Sequence, residues 1–372
     1  MFERIKSFCD SMLEKGLPGF DLIIYKDGEC VLRYANGYSD VENKIKMTGK
    51  ERFNIYSCSK PITCTAALQL FEKGLFSLDD KISDYMPEFK EMTVKVDGSV
   101  KKATNDITIK DLFGMSSGLS YNVKTPDILK FKEASNGRCP TRETMKYIAK
   151  EPLSFEPGEK WQYSLSHDVL AALVEVITGE KFEVYVKKNI FDVLGMCNST
   201  FMLPENELDT ISPQYNFSCG KLVKISKQIV DYKIGTEYAS GGAGAISTVD
   251  DYIKFLEGLR TYKLLKPETI ALMTTDLRKW SSDTHGYGLG VRCPKGVDKY
   301  TDFGWGGAAC SYLAVDIENA ISIFFGAHQC NSPAQGLRSM LYSFARAEIL
   351  DDSDFERIED KLKTLYNYTL TY

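Results

Sequence analysis

Ser57, Cys58, Ser59, Lys60 and Cys64 fall within one short stretch, FNIYSCSKPITC, residues 53–64. Ser57 and Lys60 have a spacing that supports chemistry. In a helix starting near Cys58, residues three apart share a face, so the hydroxyl and the amine can meet. A serine hydroxyl is a weak nucleophile until a base takes its proton. A lysine can take it when desolvation or neighbouring charge lowers its pKa. The positive end of the helix dipole would also favour negative charge developing at Ser57. Ser59 has no lysine at the same offset. Cys58 sits where a thiol could be activated, yet no partner precedes it, and Cys58 and Cys64 read as small packed residues. Pro61 costs little in a first turn, although it disfavours helical geometry at Lys60. Alone, Ser-x-x-Lys is a weak signal, and a serine in this place often serves only as an N-cap.

Two other patterns compete. Gly114-Met115-Ser116-Ser117-Gly118 matches G-x-S-x-G, which presents a nucleophile between a strand and a helix. Here Thr108–Phe113 reads as a capped helical turn and the following residues as loop, so the match is taken as fortuitous. This holds even though His285 or His328 could follow in triad order. Gly241-Gly242-Ala243-Gly244 lacks the Gly-Lys-Ser/Thr of a phosphate loop and reads as a structural turn near the cleft. Three histidines and ten cysteines show no metal-ligand spacing and no Cys-x-x-Cys pair. No metal, cofactor or disulfide framework is expected.

The elements that must position Ser57 follow from periodicity. Residues 61–73 form a helical pattern with Ile62, Ala66, Leu70 and Phe71 on one face and Gly74 after it. Upstream, an N-terminal helix precedes Phe20–Tyr25 and Cys30–Ala35, two β-rich runs joined by the turn signal Lys26-Asp27-Gly28-Glu29. Residues 79–235 are mainly helical or irregular, with Thr108 and Asp111 capping one helix and Gly179 ending another centred on Val169–Ile177. Beyond Gly241 come a helix near Val249–Leu259 and β-rich runs at Tyr287–Val291, Tyr312–Val315 and Ile321–Phe325. A last helix opens on the capping box Ser353–Glu356 and carries Ile358, Leu362 and Leu365. The expected class is α+β. One antiparallel sheet would be built from both chain ends and flanked by terminal helices, with a mostly helical domain inserted. The boundaries are 1–78 with 238–372 for the sheet domain and 79–237 for the helical one, with the active site in the cleft between.

Composition narrows the classes. A chain of 372 residues with a net charge of -5 and no Lys/Arg cluster argues against nucleic acid. No apolar run reaches the ~18 residues of a membrane span. Glu3, Lys6, Asp10 and Glu14 interrupt any signal-peptide core. The expectation is a cytoplasmic protein acting on a small molecule, with its oligomeric state open.

Further motifs lie along the chain: Ile107–Leu112 running into Ser116–Leu119, Pro157-Gly158 with Trp161-Gln162-Tyr163-Ser164-Leu165, Gly195-Met196, Gly241–Gly244, Tyr287–Gly290 and Phe303–Ala308. With Tyr56–Thr63, their order and spacing resemble the serine β-lactamase and penicillin-binding-protein superfamily, nearest to class C β-lactamases and family VIII carboxylesterases. The resemblance covers nearly the whole chain. It implies that Ser57 is the acylated nucleophile, Lys60 its proton-accepting partner and Tyr163 a third catalytic group. Either Lys60 or a Tyr163 phenolate could be the formal base. It also implies an oxyanion hole of two backbone N–H groups, Ser57 and Ala308, with Gly306 and Gly307 letting the strand approach the acyl group.

The departures set the substrate. Leu165 stands where the family's Tyr-x-Asn has asparagine, and Trp305-Gly306-Gly307 stands where it has Lys-Thr-Gly or His-Thr-Gly. Without the amide and the cation, a substrate carboxylate would be desolvated without compensation. An uncharged ester loses nothing, and Trp305 offers it an apolar wall. The leading expectation is ester hydrolysis through acyl-Ser57. The alternatives are a D-amino-acid peptidase, amidase or weak β-lactamase, a transacylase, and a non-catalytic ligand-binding relative. Tyr121, Tyr215 and Trp280 are placed at the pocket by loop position, while His167 and Asp168 are given packing roles.

Overall fold

The computed structural model describes residues 2–225, 232–277, 285–296, 299–350 and 355–366. The turn signal at residues 26–29 joins the strands Gly19–Lys26 and Glu29–Asp40. Asp27 and Gly28 both take left-handed backbone, φ 55° and 85°, the twist that a two-residue hairpin turn needs. These strands belong to an eight-stranded, wholly antiparallel sheet drawn from both ends of the chain. In spatial order its strands are His285–Tyr287, Arg292–Pro294, Phe303–Gly306, Tyr312–Asp316, Ile321–Ala327, Gly19–Lys26, Glu29–Asp40 and Ile45–Lys46.

The helices of ten residues or more among the described residues are α1 (Glu3–Glu14), α2 (Ser59–Glu72), α3 (Ser166–Thr178), α4 (Val249–Arg260), α5 (Leu341–Leu350) and α6 (Phe355–Tyr366). Strand alternation gives the sheet two apolar faces. Leu22, Ile24, Ile323 and Phe325 pack on one side against Phe8 and Met12 of α1, Phe344 of α5 and Leu362 of α6. Ile23 and Phe324 face the other side, where Tyr252 of α4 stacks on Phe324 at 4.1 Å. Beyond α4 the same core runs into α2, α3 and the helical middle of the chain. The α+β class expected from the sequence, with one antiparallel sheet built from both chain ends and helices packed on both its faces, is the one observed.

Two local expectations differ. Tyr287–Val291 is the turn between two short strands instead of a strand itself, closed by Gly288 N–H to Val291 O at 2.9 Å. Gly288 and Gly290 lie so close to neighbouring segments that a Cβ would meet Met273 O at 2.0 Å and Cys64 Sγ at 2.2 Å. The middle of the chain also holds two hairpins, Thr93–Val96 with Ser99–Lys102 and Tyr215–Ser218 with Lys221–Lys224. Both turn on a residue-glycine pair, 97–98 and 219–220, with positive φ at each. The capping box at Ser353 falls partly outside the described residues. No disulfide joins the described residues, and none of their helices is long and apolar enough to cross a membrane.

Candidate active site

A 3₁₀ turn, Tyr56–Cys58, runs directly into α2, so the α-helix proper begins at Ser59. The turn is bent by Tyr56, a non-glycine residue at φ 46°. Such backbone persists only where its surroundings hold it. Here the Tyr56 hydroxyl donates to Gln214, and its carbonyl accepts from Ser59 Oγ at 2.5 Å. Ser59 Oγ in turn accepts from Ala245 N–H at 2.9 Å. The residue with no lysine at its offset is therefore a structural tie. It leaves Ser57 lining a cavity of about 700 Å³.

Lys60, in the first turn of α2, is fully buried. Burying an ammonium demands acceptors or charge. Its Nζ donates to Gly242 O at 2.8 Å, to Tyr121 Oη at 3.4 Å and to Ser57 Oγ at 3.5 Å, and it lies 4.3 Å from the Tyr163 ring centroid. Tyr163 Oη donates to the same Ser57 Oγ at 2.5 Å. The Tyr163 ring is clamped between Tyr121 (5.2 Å, 5°) and Trp305 (5.9 Å, 19°). Burial first, then the neighbouring Tyr163, raises the Tyr121 phenol well above its ordinary value. Gly242 is held between Lys60 and a carboxylate of α3, because a Cβ there would meet Asp168 Oδ2 at 2.6 Å and Lys60 Nζ at 3.3 Å. Burial raises the Asp168 carboxyl against the pull of the Ser240 hydroxyl, the Lys60 charge and the Tyr238 hydroxyl.

A serine contacted by both a buried lysine and a tyrosine, beside an antiparallel sheet, is set up for acyl transfer. The beta-lactamase family model matches residues 5–341. The chain belongs to the beta-lactamase family. Esterase EstB of Burkholderia gladioli is 31% identical over 306 residues, covering 76% of each chain. Protein flp of Staphylococcus aureus (strain N315) is 28% identical over 207 residues, 55% of this chain and 39% of flp. Among solved structures, EstCE1, titled a hydrolase with promiscuous acyltransferase activity, superposes with a TM-score of 0.76. It is 24% identical over 91% of this chain and 98% of its own. The octameric penicillin-binding-protein homologue of Pyrococcus abyssi gives a TM-score of 0.74, at 23% identity over 94% and 77% of the two chains. This beta-lactamase-family chain is a serine hydrolase.

The cavity brings Ser57, Tyr121, Tyr163, Trp305, Gly306, Gly307 and Ala308 together. Leu165 is a correction: at 2% exposure it packs in the core and is absent from the cavity wall. Residue 165 caps α3, and its side chain turns toward Leu119, Ile128 and Ile148. Tyr121, on a separate loop, accepts from Lys60 Nζ at 3.4 Å and lines the cavity as expected. Tyr215 is also corrected, being buried with its hydroxyl donating to Glu42 at 2.7 Å and accepting from Val41 N–H at 2.9 Å. Trp280 lies outside the described residues. Ser116 donates to Asp111 Oδ1 at 2.7 Å after a short helix, without the strand that an elbow requires. Tyr232, Arg292, Arg338 and Trp161 line the cavity without having been expected there. Trp161 alone had a sequence signal, its place two residues before Tyr163.

The two fully buried histidines serve packing. His167 Nε2–H donates to Phe113 O at 3.2 Å, and His328 Nδ1–H to Pro213 O at 2.7 Å. Burial above all lowers them to about 3 and about 4. In the unfolded chain each titrates near ~6.5, so below that pH the unfolded state binds protons that the folded state refuses. Stability from these groups is complete above ~6.5 and falls with pH toward the folded values, by about 1.4 kcal/mol per unit for each histidine. A His328→Gln variant, which can still donate to Pro213, is expected to close its stability gap to wild type as pH falls from 7 to 5. Denaturant melts across that range check this, and a gap constant with pH contradicts it.

Proposed function

We propose that this protein hydrolyses uncharged carboxylic esters of small molecules through an acyl-Ser57 intermediate. The observation that carries the proposal is the convergence of Tyr163 and Lys60 on Ser57 Oγ inside a wall of aromatic rings. In this reading the Ser57 proton passes to the Tyr163–Lys60 pair as Oγ attacks the ester carbonyl. Two backbone N–H groups, Ser57 and Ala308, receive the oxyanion. Collapse breaks the C–O bond, and the alcohol leaves with the proton. Water, deprotonated by the same pair, then attacks the acyl carbon and releases the carboxylic acid and free Ser57. The sheet unit, 1–78 with 238–372, and the helical unit, 79–237, would form the two walls of the cleft.

Trp305 forms the wall where a lactam- or peptide-cleaving relative would offer a cation, and it contacts Tyr287 edge-on at 5.0 Å. Arg292 and Arg338 line other parts of the cavity, so the preference for an ester over a β-lactam or a D-amino-acid peptide rests on the apolar Trp305 wall stacked on Tyr163 and on the 31% identity to a protein named an esterase. Hydrolysis and transfer to a second alcohol share the acyl-enzyme, so transacylation is the second reading, favoured only if an alcohol seats in the same cavity. The test is a panel of p-nitrophenyl esters of two to eight carbons, a chromogenic cephalosporin and a D-Ala-D-Ala peptide. Turnover of the esters exceeding the other two by about 10²-fold or more in kcat/KM is expected, the scale at which a site missing a buried polar partner discriminates. Faster cephalosporin or peptide turnover would reverse the assignment.

A further inference from the structure

Gly307 and Ala308 share the peptide whose N–H is proposed above as half of the oxyanion hole. Two donors hold the Gly307 carbonyl. Arg338 Nη1 donates to it, and Cys310 N–H closes a turn onto it at 3.2 Å. The same Nη1 reaches Ser311 O at 3.2 Å, and Ser311 O accepts from Gly307 N–H at 2.9 Å. One guanidinium therefore ties both carbonyls of the turn from Gly307 to Ser311. The turn is also fixed to the nucleophile's own segment. Ser311 Oγ donates to Ile55 O at 3.3 Å and lies 3.5 Å from Cys58 Sγ. A Cβ on Gly307 would stand 2.2 Å from Ser311 Oγ and 2.5 Å from Ile55 O, so the packing is closed there.

The peptide is trans, and in a trans peptide the carbonyl and the N–H point to opposite sides. With its carbonyl on the guanidinium, the Ala308 N–H faces away from Arg338. Ala308 lines the cavity with Ser57, and no described residue accepts its N–H. Among the described residues Arg338 forms no ion pair, and its guanidinium is spent on these carbonyls.

We infer that Arg338 is a positioning residue for the oxyanion hole. It fixes the orientation of the Gly307–Ala308 peptide and, by polarising the carbonyl, makes the Ala308 N–H a stronger donor to the developing oxyanion. Substrate binding needs neither effect, so the contribution falls on the transition state. This inference rests on the acyl-Ser57 reading.

The experiment compares wild type, Arg338→Met and Arg338→Lys on neutral p-nitrophenyl butyrate and on the anionic mono-p-nitrophenyl ester of glutaric acid. Inhibition by butylboronic acid, a tetrahedral mimic, is measured alongside. Arg338→Met is expected to lower kcat on the neutral ester at least about tenfold, less than loss of a hole donor itself, with KM changed less than about twofold. Boronic acid affinity should fall by a similar factor, and Arg338→Lys should recover part of both. Unchanged kcat and boronate affinity overturn the inference. So does a loss confined to KM for the anionic ester, which would make Arg338 a receptor for a substrate carboxylate. Should Arg338→Met fail to fold, Arg338→Lys decides by the same two readouts. If wild type turns over no ester, the proposed function fails while boronate affinity still tests the role of Arg338.

Discussion

Ser57→Ala is expected to abolish ester turnover, lowering kcat by at least about 10⁴-fold, the scale seen when a hydrolase loses its nucleophile. KM is expected to change little, because the aromatic wall and the backbone of the hole stay in place. Intact-protein mass spectrometry with a slowly deacylating ester shows an adduct on wild type and none on the variant. The size of the loss follows from the lack of a substitute. Ser116, in the competing Gly-x-Ser-x-Gly pattern, spends its hydroxyl on Asp111. Cys58 is fully buried against Ser311, and burial raises its thiol to about 11, so almost no thiolate is present at neutral pH. Ser59 is bound to the Tyr56 carbonyl and the Ala245 N–H. Activity surviving in Ser57→Ala at more than about a hundredth of wild type would remove Ser57 from the mechanism and return attention to those side chains.

What was legible in the sequence was local chemistry and the order of motifs. The hairpin at Asp27-Gly28, the helix stop at Gly179 and the Thr108–Asp111 capping box all declare themselves within four residues, because turn and cap geometry is decided locally. Ser57 and Lys60 could be paired from their spacing at a helix start, whereas Tyr163 was singled out only by the family resemblance; the fold brings the three side chains together. Side-chain direction where no periodicity governs it was not legible. Leu165 occupies a motif position, yet its backbone turns at the start of α3 and sends it into the core. Tyr121 reaches Lys60 from a loop with no helical or strand pattern. Arg338 is remoter still. It acts on a turn about thirty residues upstream, through carbonyls that carry no sequence signature. The strand expected at Tyr287–Val291 failed for a similar reason, because Gly288 and Gly290 answer to neighbours far along the chain.

Lys60→Met and Tyr163→Phe are each expected to lower kcat by about 10²–10⁴-fold, the usual worth of a positioned proton acceptor. Both groups contact one oxygen, Ser57 Oγ, Tyr163 at 2.5 Å and Lys60 at 3.5 Å. If they move the same proton, the double variant is little worse than the poorer single one, because groups acting as a unit are not additive. Multiplying losses would place them in separate steps, with Tyr163 serving attack and Lys60 the leaving group or the water. Folding does not confound the comparison. Tyr163→Phe keeps the stack between Tyr121 and Trp305. Lys60→Met puts an apolar chain of similar length in the same buried place. Its cost is the Gly242 carbonyl left without its 2.8 Å donor, an unmade bond worth about 1–3 kcal/mol. Thermal midpoints within a few degrees of wild type, alongside kcat for both singles and the double, therefore separate catalysis from structure. A Lys60→Met enzyme that keeps more than about a tenth of wild-type kcat would leave the phenol as sole base and reduce the lysine to an anchor for the Gly242 loop.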